Sequence, residues 1–449
     1  MLVQQQCQQA RMARDARFDG QFFVAVKTTR IFCRPVCPAN LPKEENVEYF
    51  TFAQQAMQAG YRPCLRCRPD SAPKSCAWQG VDTTVERAVK LLRDNADMPV
   101  QDIAAKLGIS DRYFRLLFQR TLGVSPKQYQ LFEKLLFAKQ LLHQSALSID
   151  QVAQASGFAS ARRLQDNIKQ LTGLSPKQIR RDKVTRNQII TVELAFRPPY
   201  DWPHIRDFLA TRAISHMEQL TADSYARTFH IGRDKGWFCA RFVPEKCYFS
   251  IQLELDNISH LKTTLQNIRR MLDLDADISV IQKQLISSGV RHSELRQGLR
   301  LPGIWDTFEA GCRAILGQQI SVNAAIKLVT QLVSELGERE GDRYYFPQSE
   351  KVAASDLLFL KMPASRRNTL RNFAVFYTQA EDDKPDAWLT LKGIGPWTVA
   401  YAKMRGQSQP DIWLDSDLVI KKQLEKTPID ADIARPWRSY LTLQLWSMA

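Results

Sequence analysis

Four cysteines constrain this chain more than any other feature: Cys33-x3-Cys37-x26-Cys64-x2-Cys67, two close pairs separated by a loop. That spacing can bring four thiolates round one tetrahedral Zn2+ at about 2.3 Å. The surrounding residues 16 to 75 alternate apolar and polar positions only in short runs, Phe22-Phe23-Val24-Ala25-Val26 and Val47-Glu48-Tyr49-Phe50, which reads as a small α+β fold in need of a staple. Spacing alone favours a closed structural site, since most four-cysteine zinc sites do no chemistry. The chain has nine cysteines, an odd and clustered set that suits metal binding in a reducing compartment better than a disulfide framework. The expected location is the cytoplasm or nucleoid.

At 449 residues and 44% hydrophobic, the chain can bury several cores, so three or four domains are expected. It contains no run of eighteen apolar residues, and Met1 to Ala10 is polar and glutamine-rich, which argues for a soluble, unexported protein with no membrane partner. The net charge of +15 is lopsided: 29 Lys+Arg face 16 Asp+Glu up to Arg186, against 33 and 31 beyond it. The electrostatics of nucleic-acid binding therefore sit in the N-terminal part.

From Thr83 to Lys183 the periodicity is helical, with Val85, Ala88, Val89, Leu91 and Leu92 in one stripe. This region holds a two-copy repeat. Ile103-Ala104, Gly108-Ile109-Ser110 and Leu122-Gly123-Val124-Ser125-Pro126-Lys127-Gln128 recur as Val152-Ala153, Gly157-Phe158-Ala159 and Thr172-Gly173-Leu174-Ser175-Pro176-Lys177-Gln178. Two helix-turn-helix modules joined by a helix follow, all-α, with Asp111 to Arg120 and Ala161 to Gln170 as the helices that enter major grooves. Arg112, Arg115, Arg162, Arg163 and Gln165 are the side chains able to reach bases or phosphates. The segment Arg180 to Arg186 reads as a linker. Beyond it, 187 to 300 reads as α+β, with strands at Ile189–Leu194 and Tyr248–Leu253 and a helix at Leu261–Leu272, and 301 to 449 reads as all-α.

The residues flanking the cysteines, Lys27-Thr28-Thr29-Arg30-Ile31-Phe32-Cys33-Arg34-Pro35-Val36-Cys37-Pro38-Ala39 and Gly60-Tyr61-Arg62-Pro63-Cys64-Leu65-Arg66-Cys67-Arg68-Pro69-Asp70, closely resemble the N-terminal zinc domain of the Ada family. The resemblance implies that residues 1–75 take a methyl group irreversibly from a DNA methyl phosphotriester. It makes Cys33 the acceptor and puts Thr29 and Arg66 near the phosphate. Asn40 departs from the arginine that the family often carries there. The repeat, including its Gly-x-Ser-Pro-Lys-Gln ends, resembles the AraC-type DNA-binding domain over about a hundred residues, 80–185. Promoter sites are the implied target and RNA polymerase an implied partner.

Leu391-Lys392-Gly393-Ile394-Gly395-Pro396-Trp397-Thr398, followed by Leu414-Asp415-Ser416-Asp417-Leu418-Val419-Ile420, resembles the helix-hairpin-helix and catalytic aspartate of DNA glycosylases. Glycines let backbone N–H groups approach a phosphate at a helix N-terminus. The wider resemblance, over residues 187 to 449, is to AlkA-type 3-methyladenine DNA glycosylases. It is carried also by Pro199-Tyr200-Asp201-Trp202, Leu299-Arg300-Leu301-Pro302-Gly303, Arg313-Ala314-Ile315-Leu316-Gly317-Gln318 and Pro436-Trp437-Arg438-Ser439-Tyr440. It implies a TBP-like domain over 187–300, a glycosylase domain over 301–449 and excision of alkylated purines from double-stranded DNA. Asp417 is then the catalytic carboxylate. Trp397, Tyr401 and Trp446 form a pocket whose faces attract a cationic base, and Gly393, Gly395 and Thr398 grip phosphate. Asp415 is expected to be solvated or to cap a helix. Gln319 stands where an apolar wedge is usual. Trp397 occupies the position of the Schiff-base lysine in strand-cleaving relatives, so hydrolysis without strand cleavage is expected. No Pro-Cys-His-Arg motif is present, so an O6-methylguanine transferase half is not expected. The rival expectation is a transcription regulator whose glycosylase part is inactive.

Overall fold

The computed structural model describes residues 4–14, 18, 21–51, 53–64, 67, 69, 76–94, 98–180, 189–380 and 384–448. They divide into two compact units, Met1–Glu133 and Lys134–Ala449.

In the first unit a four-stranded sheet runs in the order Val47–Phe50, Phe23–Val26, Ile31–Cys33, Arg62–Pro63. The first two pairings are antiparallel and the last is parallel. Phe23, Ala25 and Phe32 from the sheet pack with Ala56 and Tyr61 as a core of few residues. Helix Gln4–Ala13 lies outside the predicted strands and buries Arg11, whose guanidinium donates to Tyr49 Oη (3.1 Å), Pro42 O (3.0 Å) and Glu44 Oε2 (2.5 Å). Helices Cys76–Asp94, Val100–Leu107 and Asp111–Leu122 complete the unit around Leu92, Ile103, Phe114 and Phe118.

The repeat has a physical cause at each landmark. Gly108 (φ 72°) and Gly157 (φ 71°) turn the chain through the left-handed region between the two helices of each module. Ser110 and Ser160 cap the second helices by accepting from Tyr113 N and Arg163 N. The shared Ser-Pro-Lys-Gln is a capping box. Ser125 N donates to Gln128 Oε1 (2.9 Å) and Gln128 N to Ser125 Oγ (3.2 Å), while Ser175 N donates to Gln178 Oε1 (2.8 Å). The joining helix spans Pro126–Gln144.

The second unit carries the second module and a five-stranded antiparallel sheet ordered Ile190–Ala195, Tyr248–Leu255, Asp234–Val243, Ser224–Ile231, Glu218–Leu220. Phe249, Ile251 and Leu253 alternate inward and pack with Ile205, Leu209, Leu265 and Ile268 of helices Trp202–Ala210 and Leu261–Met271. Helices Val322–Leu336, Ala364–Gln379 and Pro396–Gly406 pack against Thr307–Leu316, which is buried at nine of its ten positions.

Two expectations change here. Residues 301 to 449 are not wholly helical, because Glu338–Glu340 pairs with Arg343–Tyr345 in a hairpin. Nor do the cores part at residue 300: Ile278, Ile281, Leu285 and Leu299 pack with Met404, Ile420, Tyr440 and Leu443. The alternation that marks the preceding strands stops before 278, and chain order alone does not say which core a later helix joins.

Asp273 seals part of that joint. Its carboxylate accepts from Tyr440 Oη (2.9 and 3.0 Å) and Leu301 N (2.9 Å), and burial pushes it up to about 7. A carboxyl that binds its proton more tightly when folded stabilises the protein below its unfolded value of about 3.8, and that stability is lost as pH rises through about 7. Asp273→Asn should lack this contribution. The wild-type melting temperature, relative to that of the variant, is expected to fall by a few degrees, on the order of 2–4 °C per kcal/mol, between pH 4 and 7. A constant difference in parallel thermal melts would count against this assignment.

Candidate functional site

The sheet register assembles the cysteine cluster. Parallel pairing sets Phe32 beside Pro63, and Cys64 N donates to Phe32 O (3.0 Å), so Cys33 and Cys64 become neighbours at one end of the sheet. A turn closed by Cys37 N donating to Arg34 O (3.1 Å) folds Cys37 back, and Arg34 N donates to Cys67 Sγ (3.4 Å). All four sulfurs lie within 4.8 Å of one another, with Cys37 buried and Cys33 and Cys64 half-buried. Bonds of about 2.3 Å to a tetrahedral ion require sulfur separations of about 3.8 Å, so the donor set fits one Zn2+. Thr29 is exposed in the hairpin turn before Ile31, and Asn40 is exposed. Arg66 lies outside the described residues.

On the helices expected to read DNA, Arg112, Arg162, Arg163 and Gln165 are exposed. Arg115 is also exposed but pairs with Asp111 one turn away (2.8 Å). Four residues named from the sequence, Trp397, Tyr401, Trp446 and Asp417, line one cavity of about 610 Å³. Trp397 and Tyr401, on helix Pro396–Gly406, stack with centroids 5.2 Å apart and planes 19° apart. Asp417 is the N-cap of helix Leu418–Lys426. Its Oδ1 accepts from Val419 N (2.9 Å), Ile420 N (3.2 Å) and Trp446 Nε1 (3.3 Å). The cap is therefore Asp417 itself, and Asp415 is an exposed residue outside it, because the helix begins after Asp417 rather than after Asp415.

Gly393 (φ 91°) is sterically required: a Cβ there would lie 2.2 Å from Thr369 Oγ1. Among the described residues the amides of Gly393 and Gly395 donate to no protein acceptor, which leaves them for an anion. Thr398 differs from expectation. It is buried, its amide donates to Gly395 O (3.1 Å), and its Oγ1 accepts from Gln318 Nε2 (3.2 Å), which also donates to Gly393 O (3.1 Å). Thr398 thus braces the hairpin from within the fold. Gln319 is exposed at φ 58°, in a turn whose next residue, exposed Ile320, lines the cavity.

Sequence reasoning missed the opposite wall. His204, Phe208 and Arg212 come from the α+β domain, and Arg405 from the helix of Tyr401. Phe208 stacks on Trp446 (6.4 Å, 15°), with the guanidinium of Arg212 3.8 Å and that of Arg405 4.6 Å from its ring centroid. Arg405 is also 5.7 Å from the Tyr401 ring centroid. Of the aromatic faces expected to receive a cationic base, that of Tyr401 is thus already faced by a cation of the protein, Arg405. No local motif marks these residues; the available signal was the spacing 204, 208, 212 on one helical face.

Three family models match the chain: the metal binding domain of Ada over residues 6–70, a helix-turn-helix domain over 103–182 and the AlkA N-terminal domain over 191–306. A "Probable bifunctional transcriptional activator/DNA repair enzyme AlkA" of Mycobacterium tuberculosis is 31% identical over 99% of this chain and 96% of its own length. DNA-3-methyladenine glycosylase 2 of Escherichia coli is 34% identical over 56% of this chain and 95% of its own. Bifunctional transcriptional activator/DNA repair enzyme Ada of Escherichia coli is 31% identical over 40% of this chain and 49% of its own.

Metal dependence gives a direct check on the cysteine cluster. Cys37→Ala removes the buried ligand, so bound zinc should fall severalfold from ~1 ion per chain, and the Phe23/Phe32/Tyr61 core should become protease-sensitive. A full zinc complement in the variant would contradict the four-thiolate site.

Proposed function

The chain belongs to the family of bifunctional transcriptional activator/DNA repair proteins of the AlkA and Ada type, and on that premise we propose that it excises alkylated purines from duplex DNA. In this reading residues 187–449 combine a TBP-like domain, from 187 onward, with a helix-hairpin-helix glycosylase domain whose core also takes in helix Ile278–Ser287. Residues 1–75 sense methyl phosphotriesters, and 80–185 read promoter DNA. The observation that carries the reading is Asp417, a carboxylate held by three N–H donors at the edge of a cavity walled by stacked aromatics.

The excision steps follow from these residues. Gly393 and Gly395 offer their amides to a phosphate, and the damaged nucleotide turns out of the stack against Trp397 and Tyr401. With Oδ1 occupied by its donors, Asp417 directs Oδ2 at the sugar. Positive charge grows at the anomeric carbon as the bond to the base breaks, and the carboxylate stabilises it and orients the incoming water. Trp397 offers no amine for an imine, so the product is an abasic site with its strand intact.

In the N-terminal domain, Cys33, Cys37, Cys64 and Cys67 would hold a zinc ion, which would keep their sulfurs as thiolates at neutral pH. Half-buried Cys33 attacks the methyl carbon of a phosphotriester in line. The new S–CH3 bond forms as the O–CH3 bond breaks, and its electron pair leaves with the phosphodiester oxygen. The sulfur becomes a thioether and the cluster loses one negative charge, so nearby DNA phosphates are repelled less. At 10 Å that change is worth on the order of 0.4 kcal/mol per phosphate at ε near 80 and 1.7 at ε near 20.

Asp417→Asn retains a good helix cap and removes the charge. Release of 3-methyladenine from methylated DNA should be measurable for wild type and drop roughly hundredfold or more in the variant. No release from wild type would favour the regulator whose glycosylase part is inactive. Separately, mass spectrometry after exposure to methyl-phosphotriester DNA should find one added methyl on the Cys33 peptide. An unmodified peptide would leave the zinc site purely structural.

A further inference from the structure

The two helix-turn-helix modules are duplicates in packing and differ in chemistry. Helices Asp111–Leu122 and Ala161–Thr172 are both capped by serine, and both end at a left-handed glycine, Gly123 and Gly173. Phe114 and Phe118 are buried in the first helix, Leu164 and Ile168 at the same two places in the second. With that register fixed, the outer face of each helix can be compared residue by residue. It carries Arg112, Arg115 and Leu116 in the first module and Arg162, Gln165 and Asp166 in the second, all exposed. Spacings of three and four put each trio on one side of its helix, within the first two turns, where a recognition helix meets base edges.

Only the leading arginine is common to both modules. At the second place a guanidinium corresponds to a carboxamide. Arg115 Nε donates to Asp111 Oδ2 (2.8 Å), which holds the side chain and leaves Nη1 and Nη2 for an outside acceptor. Such a fork pairs with O6 and N7 of guanine, two acceptors on one major-groove edge. Gln165 donates and accepts through a single amide, which matches the N6–H2 donor and N7 acceptor of adenine. At the third place Leu116 corresponds to Asp166. Leucine offers no hydrogen bond, and the methyl of thymine is the apolar group of the groove that it can cover. A carboxylate among phosphates is repelled unless a donor meets it, and cytosine N4–H2 is the donor it accepts from on a base edge. Among the described residues neither Gln165 nor Asp166 has a side-chain partner within the protein, so both groups are open to DNA.

Resting on the reading of residues 80–185 as modules that read promoter DNA, we propose that the two modules select different bases. Arg115 and Leu116 select guanine and thymine in one half of the target, and Gln165 and Asp166 select adenine and cytosine in the other. Because the halves differ, the target is neither a direct repeat nor a palindrome, and the chain binds it in one direction.

The test is a selection from random-sequence duplexes with the full-length, zinc-loaded protein at fixed salt, before and after exposure to methyl-phosphotriester DNA. Wild type should recover one motif with two unlike halves. Arg115→Gln should replace guanine by adenine at one position of one half, and Gln165→Arg should make the reverse exchange at one position of the other. Each variant should bind the wild-type motif about tenfold more weakly and recover affinity on the exchanged base. Lys169→Gln removes an exposed cation placed to meet phosphate and supplies the contrasting pattern, weaker binding with every base preference intact. All three side chains are exposed, so the substitutions leave the buried positions untouched. Two like halves, or a loss in Arg115→Gln or Gln165→Arg that is equal for every sequence, overturns the division between the modules while leaving them as DNA binders. A wild type that binds DNA without any preferred sequence in either state overturns both this division and the promoter-reading role.

Discussion

Two glutamates and two arginines, buried together where the sheet meets the central helix, set the frame for the glycosylase-like unit. Glu309 and Arg313 stand on helix Thr307–Leu316, while Glu218 and Arg227 stand on adjacent strands, and Arg313 reaches both acids (2.7 and 2.8 Å). Removing such ions from water costs several kcal/mol each, and the cost is offset only if every charge is met. Here Tyr225 Oη supplies a further donor to Glu218 (2.6 Å), and Arg227 Nε donates to Thr228 O. Losing any one partner would strand a charge, so the helix has one tolerable position against the sheet. Arg313 also donates to Arg212 O (2.8 Å), which fixes the backbone from which Arg212 enters the cavity. On the helix's other side, Gly406 approaches so closely that a Cβ would lie 3.0 Å from Ala310 Cβ. The helix bearing Trp397 and Tyr401 is located by that contact.

Both candidate reactive atoms sit at the ends of secondary-structure elements. Cys33 ends a strand, and Asp417 precedes a helix. At such ends backbone amides have no partner within the element, so they are available to hold an anion: Arg34 N on Cys67 Sγ, Val419 N and Ile420 N on Asp417. Gly393 and Gly395 keep their amides open at a third such end. Two unrelated folds thus use one device to hold negative charge.

The four cysteines were legible because their spacing is itself the ligand geometry. The duplicated modules were legible because each repeated residue has a local role, with Gly108 and Gly157 turning the chain and Ser125 and Ser175 capping helices. Trp397 and Tyr401 were legible as a pair because i and i+4 share a helix face. What the sequence hid is what packing decides. Phe208 and Arg212 precede Trp446 by more than two hundred residues, in another domain, and only the folded chain stacks Phe208 on it. Thr398 looked like a hairpin ligand because it adjoins the glycines, but it lies one turn into the helix and faces inward. Motif position already separated Asp417 from Asp415, but which of the two caps the helix was decided only by the first helical residue.

The cap at Asp417 has an evolutionary corollary. The same side chain begins a helix and carries the proposed chemistry, and asparagine begins helices about as well as aspartate. A lineage could therefore lose repair activity through a single carboxylate-to-amide change with little penalty in folding. The resulting chain would keep its cavity, its hairpin and its DNA-reading modules. Descendants that repair and descendants that only regulate would then share one fold, told apart by one oxygen.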